Sequence, residues 1–221
     1  MNIKILWIVG SLGTIATGSG IYITLKDRQG PVHLISELFQ QEKGWKLMNE
    51  SNDSKWNEAW TRYKEDKNKW GLPSWGGNKE KTETIEEFKN ECKKRSKVKI
   101  FDSGQKEYLE VKKYCSRPKK VSELLTEDKT KTLLDKSGDA AQWTSAWDRY
   151  KSDHIEKVSG GTTTYKESNE WGIQGWQSSK PPSPMPEEFK NKCEEKWNSH
   201  INPEELTEDK TFKQVKSWCT K

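Results

Sequence analysis

A chain of 221 residues has room for one or two domains. Charged residues make up 33% of it, hydrophobic ones only 30%, and the mean hydropathy is -1.10, which excludes a large apolar core. The 39 basic and 34 acidic residues are interspersed, so the net charge of +5 does not form the one-signed stripe of a nucleic-acid-binding face, and no nucleic-acid partner is expected. So polar a composition usually means disorder. The 12 Trp argue otherwise, because each buries a large apolar area and they recur at fixed spacings. Folded units with small cores and a charged surface are expected.

The chain starts with a short polar stretch, Met1 to Lys4, followed by 21 uncharged residues from Ile5 to Leu25. Lys26, Asp27 and Arg28 close the run. About 20 apolar residues at 1.5 Å rise cross a hydrocarbon core, so residues 1–28 read as an N-terminal transmembrane helix that anchors the protein in a membrane. A cleaved signal peptide competes with this reading, since Ala16-Thr17-Gly18 supplies small residues for a cut. The apolar run continues past that point through Ile21, Tyr22, Ile23 and Leu25, as a spanning helix would, and Tyr22 suits the interface. Flanking charge does not orient the segment. Four cysteines do, because disulfides persist in oxidising, external compartments. Residues 26–221 are therefore expected outside the cell membrane, on a single-pass anchor.

The remainder reads as two helical units, 33–118 and 119–221, related by an internal repeat. Ile35-Ser36-Glu37-Leu38 matches Val121-Ser122-Glu123-Leu124 at an offset of 86. Trp56, Ala59, Trp60, Arg62 and Tyr63 match Trp143, Ala146, Trp147, Arg149 and Tyr150 at 87. Trp70-Gly71, Trp75, Phe88 and Cys92 match Trp171-Gly172, Trp176, Phe189 and Cys193 at 101, and Val111, Tyr114 and Cys115 match Val215, Trp218 and Cys219 at 104. The order is kept and the offset only grows, as insertions into one ancestral unit would make it. The largest insertion falls within Asp153–Glu170, where Gly160-Gly161 and three threonines suggest a loop.

The fold class expected is mainly α. Trp56, Trp60 and Tyr63 stand at i, i+4, i+7 on one helix face, and Trp143, Trp147 and Tyr150 repeat this. Ile85, Phe88 and Cys92 mark another helix, with Thr84 and Glu87 as a capping box at its start. Pro186-Glu187-Glu188 and Asn202-Pro203-Glu204-Glu205 read as further helix starts. Tyr108, Val111 and Cys115 form a last face, copied by Phe212, Val215 and Cys219. The near-equal spacing of Cys92 to Cys115 and Cys193 to Cys219 makes these the simplest disulfide pairs, one per unit; a reduced, buried pair is the alternative.

Candidate functional residues are few. Trp70, Trp75, Trp171 and Trp176 are candidate binding aromatics, a platform for a sugar or peptide, or else framework folded over the helix pair. No catalytic residue, metal ligand or cofactor site is expected. His33, His154 and His200 are isolated and do not correspond between units, no C-x-x-C occurs, and nucleophile, zinc and phosphate-loop signatures are missing.

The layout resembles the paralogous uncharacterised membrane proteins of haemotropic mycoplasmas. The residues that carry the resemblance are Trp56, Trp60, Tyr63, Lys64, Phe88, Lys89, Cys92, Val111, Tyr114 and Cys115, their second-unit counterparts, and the apolar N-terminal segment. The resemblance implies a wall-less bacterium and a cell-surface location, with host surface components or antibodies as partners, and no reaction. The doubled unit departs from a single-unit layout. A surface interaction or antigenic protein is thus the expected function. A membrane-tethered extracellular hydrolase and a carbohydrate-binding module are the competing classes.

Overall fold

The computed structural model describes residues 30–129 and 131–221. The expected anchor over residues 1–28 lies outside them; among the described residues no helix is long and apolar enough to cross a membrane. Val32–Lys221 forms one compact unit that is mainly helical. The first half runs β1 (His33–Leu34), α1 (Ile35–Phe39), β2 (Trp45–Leu47), α2 (Trp56–Glu65), α3 (Trp75–Asn78), α4 (Glu86–Arg95), β3 (Lys99–Ile100), α5 (Lys106–Cys115) and β4 (Ser116–Pro118). The second runs α6 (Val121–Asp128), α7 (Ala140–Asp153), β5 (Ile155–Ser159), β6 (Thr162–Tyr165), α8 (Glu187–Trp197), a 3-10 turn (Leu206–Glu208) and α9 (Lys210–Trp218).

Two buried clusters form inside this unit. One gathers Trp56, Trp60, Tyr63, Phe88, Tyr108, Val111 and Tyr114; the other Trp143, Trp147, Tyr150, Trp171, Phe189, Phe212, Val215 and Trp218. The helical spacing of these residues explains the packing, since i, i+4, i+7 places three rings on one face. α2 lies against α5, and α7 against α9. Each last helix is tied by a disulfide to the helix before it: Cys92–Cys115 at a Cα separation of 5.5 Å and Cys193–Cys219 at 5.6 Å.

Short antiparallel pairings close each half. β1 pairs with β3 (Leu34↔Lys99) and β2 with β4 (Leu47↔Ser116). The second half has single bridges at the matching offsets, Lys120↔His200 and Leu133↔Thr220. Each half also opens with a Glu in the first helical turn that accepts the N–H of the residue before the helix: Glu37 from Leu34 at 2.9 Å and Glu123 from Lys120 at 2.8 Å. This satisfies a backbone donor that a helix start leaves open.

Three local expectations are corrected. The capping box at Thr84 and Glu87 does not form: Ile85 occupies the cap, Thr84 N and Oγ1 both donate to Asn57 Oδ1 at 2.9 Å, and Glu87 turns away to Ser74. Asn202–Glu205 makes a turn leading into the 3-10 segment, and the α-helix starts later, capped by the Asp209 carboxylate on Phe212 N at 2.9 Å. The presumed loop within 153–170 is the β5–β6 hairpin, whose two-residue turn takes positive φ at Gly160 (57°) and Gly161 (76°). Positive φ at both positions matches the twist of a tight hairpin, and the threonines suit strands.

Candidate functional site

The four candidate tryptophans are built into the two aromatic clusters. None is exposed. In the first half, the Tyr63 hydroxyl donates to Asn68 Oδ1 at 2.7 Å and accepts from Trp70 N at 3.1 Å. Asn68 Oδ1 also accepts from Leu72 N at 2.7 Å. One amide therefore folds the 68–72 segment over α2 and seats Trp70 against Tyr63, Phe88 and Tyr114. Trp70 Nε1 donates to Glu110 Oε2 at 2.8 Å, and the Arg95 guanidinium lies 4.4 Å from the Trp70 ring. Burial pushes the Glu110 carboxyl up, but the hydrogen bonds from Trp70 and Lys69 outweigh it and hold it below the usual carboxylate value. Trp75 stands edge-on to Trp60 (5.9 Å) and Tyr63 (6.0 Å).

The same contacts recur around Tyr150. Its hydroxyl donates to Asn169 Oδ1 at 2.8 Å and accepts from Trp171 N at 3.3 Å, and Ile173 N donates to Asn169 Oδ1 at 2.6 Å. Trp171 Nε1 reaches Gln214 Oε1 at 3.1 Å, where the first half uses Glu110. Trp176 stands edge-on to Trp147 and Tyr150, with Nε1 on Lys166 O at 2.9 Å. Arg62 donates to Lys113 O and Ser116 O, and Arg149 to Ser217 O and Thr220 O, so in both halves an arginine from the first long helix holds the end of the last. Trp171 is buried, while Trp70, Trp75 and Trp176 are half-buried, each packed against rings of its own cluster.

Sequence reasoning missed a polar junction where the halves meet. Arg117, in β4 and only 5% exposed, donates from Nε to Asp53 Oδ2 at 2.6 Å. Its two terminal nitrogens grip both oxygens of Glu123, at 2.8 and 2.9 Å. Lys46 Nζ adds a bond to Glu123 Oε1 at 2.7 Å. Burial pushes the Glu123 carboxyl up, yet the bonds from Arg117, Lys46 and Lys120 N–H win and hold it far below the carboxylate range. Lys119, 6% exposed, pairs with Glu127, and its N–H donates to Gly44 O at 2.9 Å. Gly44 is required here, because a Cβ would lie 2.4 Å from Pro203 O. His200 sits at the same seam with Nε2 buried and unpartnered; burial, then Arg117, Lys55 and Lys120, push its pKa down. Glu123 showed in the sequence only as the repeat counterpart of Glu37, and no spacing linked it to Arg117.

The other histidine drawn inward is His154, 2% exposed, with Nδ1 2.7 Å from Tyr150 O and Nε2 accepting from Glu170 N at 3.3 Å. That is a satisfied core histidine. Among the described residues no group of three or more His, Cys, Asp or Glu is gathered to hold a metal. An open concavity of about 370 Å³ lies between Trp45, Tyr108, Glu42 and Lys112 on one side and Pro203 and Leu206 on the other. Of its charged lining residues Glu42 and Lys112 are joined, with Glu42 accepting from Tyr108 at 2.5 Å and from Lys112 at 2.9 Å; Lys43 and Glu204 also line it.

Comparison of the chain with protein-family models, with curated proteins and with solved structures finds no match.

Proposed function

We propose that this is a surface protein, held in the membrane by residues 1–28, whose disulfide-bonded outer part contacts a partner of the host surface or is bound by antibody. The observation that carries the reading is the pair of bridges, Cys92–Cys115 and Cys193–Cys219, with no cysteine left over. Such bridges persist where the surroundings oxidise. The 21-residue uncharged run from Ile5 to Leu25 is, in this reading, the means of display. The matched networks of Tyr63–Asn68–Trp70 and Tyr150–Asn169–Trp171 support reading the outer part as two copies of one unit, duplicated and then diverged. In both copies the polar atoms nearest the rings hold the frame.

External protease on intact cells, combined with thiol labelling before and after reduction, tests this. Loss of residues 26–221 with thiols labelled only after reduction is the expected result. Protection from protease, with four freely labelled thiols, would place the domain inside the cell and overturn the reading.

A further inference from the structure

Among the described residues five large hydrophobic side chains are exposed, and four of them, Val32, Val98, Phe101 and Leu109, belong to the first half. The β1–β3 ladder gathers them. Its register pairs His33 with Ile100 and Leu34 with Lys99, so Val32 and Phe101 leave the same end of the ladder. Gln105 Oε1 accepts from Phe101 N at 2.5 Å, and Leu109, whose N–H donates to Gln105 O, stands one helical turn further along α5. Opposite residues of an antiparallel pair share a face, and neighbours along a strand alternate. Ile100 is buried, so the outer face of the ribbon carries Val32, Leu34, Lys99 and Phe101.

Lysines border this apolar face. Lys97 and Lys99 are exposed and, among the described residues, form no ion pair. The acids nearby are turned elsewhere: Glu37 to Leu34 N–H, Asp102 to Gly104 N–H at 2.7 Å, and Glu91 to Lys94 and Arg95. Glu107, also exposed, is two residues from Leu109 and so on another side of α5.

The second half supplies an internal comparison. Ile35 N donates to Val98 O, and Val121 N to Ser199 O, which fixes the alignment at this point. In place of Val98, Phe101 and Leu109 the second half has Ser199, Asn202 and Lys213. In place of Lys93, Lys97 and Lys99 it has Glu194, Asn198 and His200. Apolar and basic side chains therefore occur together, and in one half alone. In sequence that is the half next to the uncharged run: Val32 follows Leu25 by seven residues, a reach of at most about 25 Å.

A soluble anion would use the lysines and leave the apolar side chains in water. A bilayer surface uses both, its acyl boundary taking the apolar groups and its acidic headgroups the ammonium groups. We propose that this face lies on the anionic lipid surface of the membrane that holds the chain. The inference rests on the reading of residues 1–28 as an anchor, and not on which side of the membrane the domain faces.

The test uses the full chain in neutral detergent, in phosphatidylcholine nanodiscs and in nanodiscs that contain phosphatidylglycerol. Lysines are briefly acetylated and the extent at each is read by peptide mass spectrometry. In the anionic discs Lys97 and Lys99 should react about fivefold or more slowly than in detergent, with a smaller effect in phosphatidylcholine, while Lys131 and Lys157 keep their rates. Val32→Ser/Phe101→Ser/Leu109→Ser should lose the protection. Val158→Ser, at the fifth exposed hydrophobic position, should keep it. Both variants are checked for intact disulfides by thiol titration. Equal slowing at Lys131 and Lys157, or a triple variant that stays protected, would overturn the proposal. So would slowing in detergent that grows with protein concentration, which would seat a second copy on the face. A chain that leaves the discs on gel filtration overturns the anchor and the proposal together; one that stays, with Lys97 and Lys99 as reactive as in detergent, overturns the proposal alone. Protection in a chain shown to face the cytoplasm would remove the surface reading and support the lipid contact.

Discussion

Removing Arg117 should loosen the two halves more than any other single polar change. Its side chain is 6% exposed, and the partners Asp53 and Glu123 are 11% and 19% exposed. Arg117→Ala leaves both carboxylates in a seam from which water is largely excluded, and breaking a buried pair in this way costs about 3–5 kcal/mol. In a unit of this size each kcal/mol moves Tm by about 2–4 °C, so thermal unfolding should begin some ~6–20 °C lower. The sign of the pH dependence checks the mechanism. A carboxyl held below its ordinary pKa stabilises the fold above that ordinary value, and the stability is lost as pH falls toward the folded value. The parent should therefore weaken on acidification through the carboxylate range, while Arg117→Ala, which lacks the clamp, loses less, and the gap between them should close. Adding Asp53→Asn and Glu123→Gln to Arg117→Met should recover most of the loss, because no carboxylate is then left buried without its arginine. Calorimetry from pH 7 to 3 reads all three proteins. A loss below ~1 kcal/mol for Arg117→Ala, the range of exposed ion pairs, or a gap that widens in acid would refute the reasoning.

Asn68→Ala should cost about 1–3 kcal/mol, since the Tyr63 hydroxyl and Leu72 N–H lose their common acceptor; Asn169→Ala should cost the same in the second half, and denaturant titration compares them. Replacing Cys193 and Cys219 together by Ser opens a loop closed at a separation of 26 residues, which should lower stability by about 3 kcal/mol in the chain-entropy account. The Cys92/Cys115 pair should behave alike, with intact mass after alkylation confirming which bridge is missing. His200 is held neutral by burial and by Arg117, Lys55 and Lys120, with Asp53 opposing. Its lowered pKa means the unfolded chain takes up the proton first, so stability should fall as pH drops below about 6.5. His200→Gln should flatten that part of the profile; an unchanged slope would exclude the residue.

The sequence made the buried rings legible and left their fastenings hidden. A hydrophobic face repeats at helical spacing, so Trp56, Trp60 and Tyr63 and their counterparts announced both helix and core, and the cysteine spacing announced the bridges. Asn68 and Asn169 do the folding of the Trp70 and Trp171 segments, yet an amide in a charged stretch has no periodicity. Their one signal was the shared position two residues before Trp-Gly. Thr84 and Glu87 went the other way: the pattern was present, but Asn57 and Ser74 offered partners through space that the local cap could not outcompete. Gly160-Gly161 was legible as a turn; that the threonines beyond it would pair as a strand depended on Ile155–Ser159 arriving alongside.

Charge shows most clearly why composition and place diverge. The densest basic run in the sequence, Lys93 to Lys99, is partly neutralised where it folds, because Glu91 takes Lys94 and Arg95, and Arg95 also leans on Trp70. Positive charge instead accumulates where three separate stretches converge at the end of α9. Residues three apart, such as Lys213 and Lys216, share a helix face, but their meeting with Lys131 and Arg149 is a tertiary event. A sequence of evenly mixed charge can thus gather bases from separate stretches in one place. What decides it is which acids are consumed inward, as Asp53 and Glu123 are by Arg117, and which bases are left outward, as Lys131 and Lys221 are.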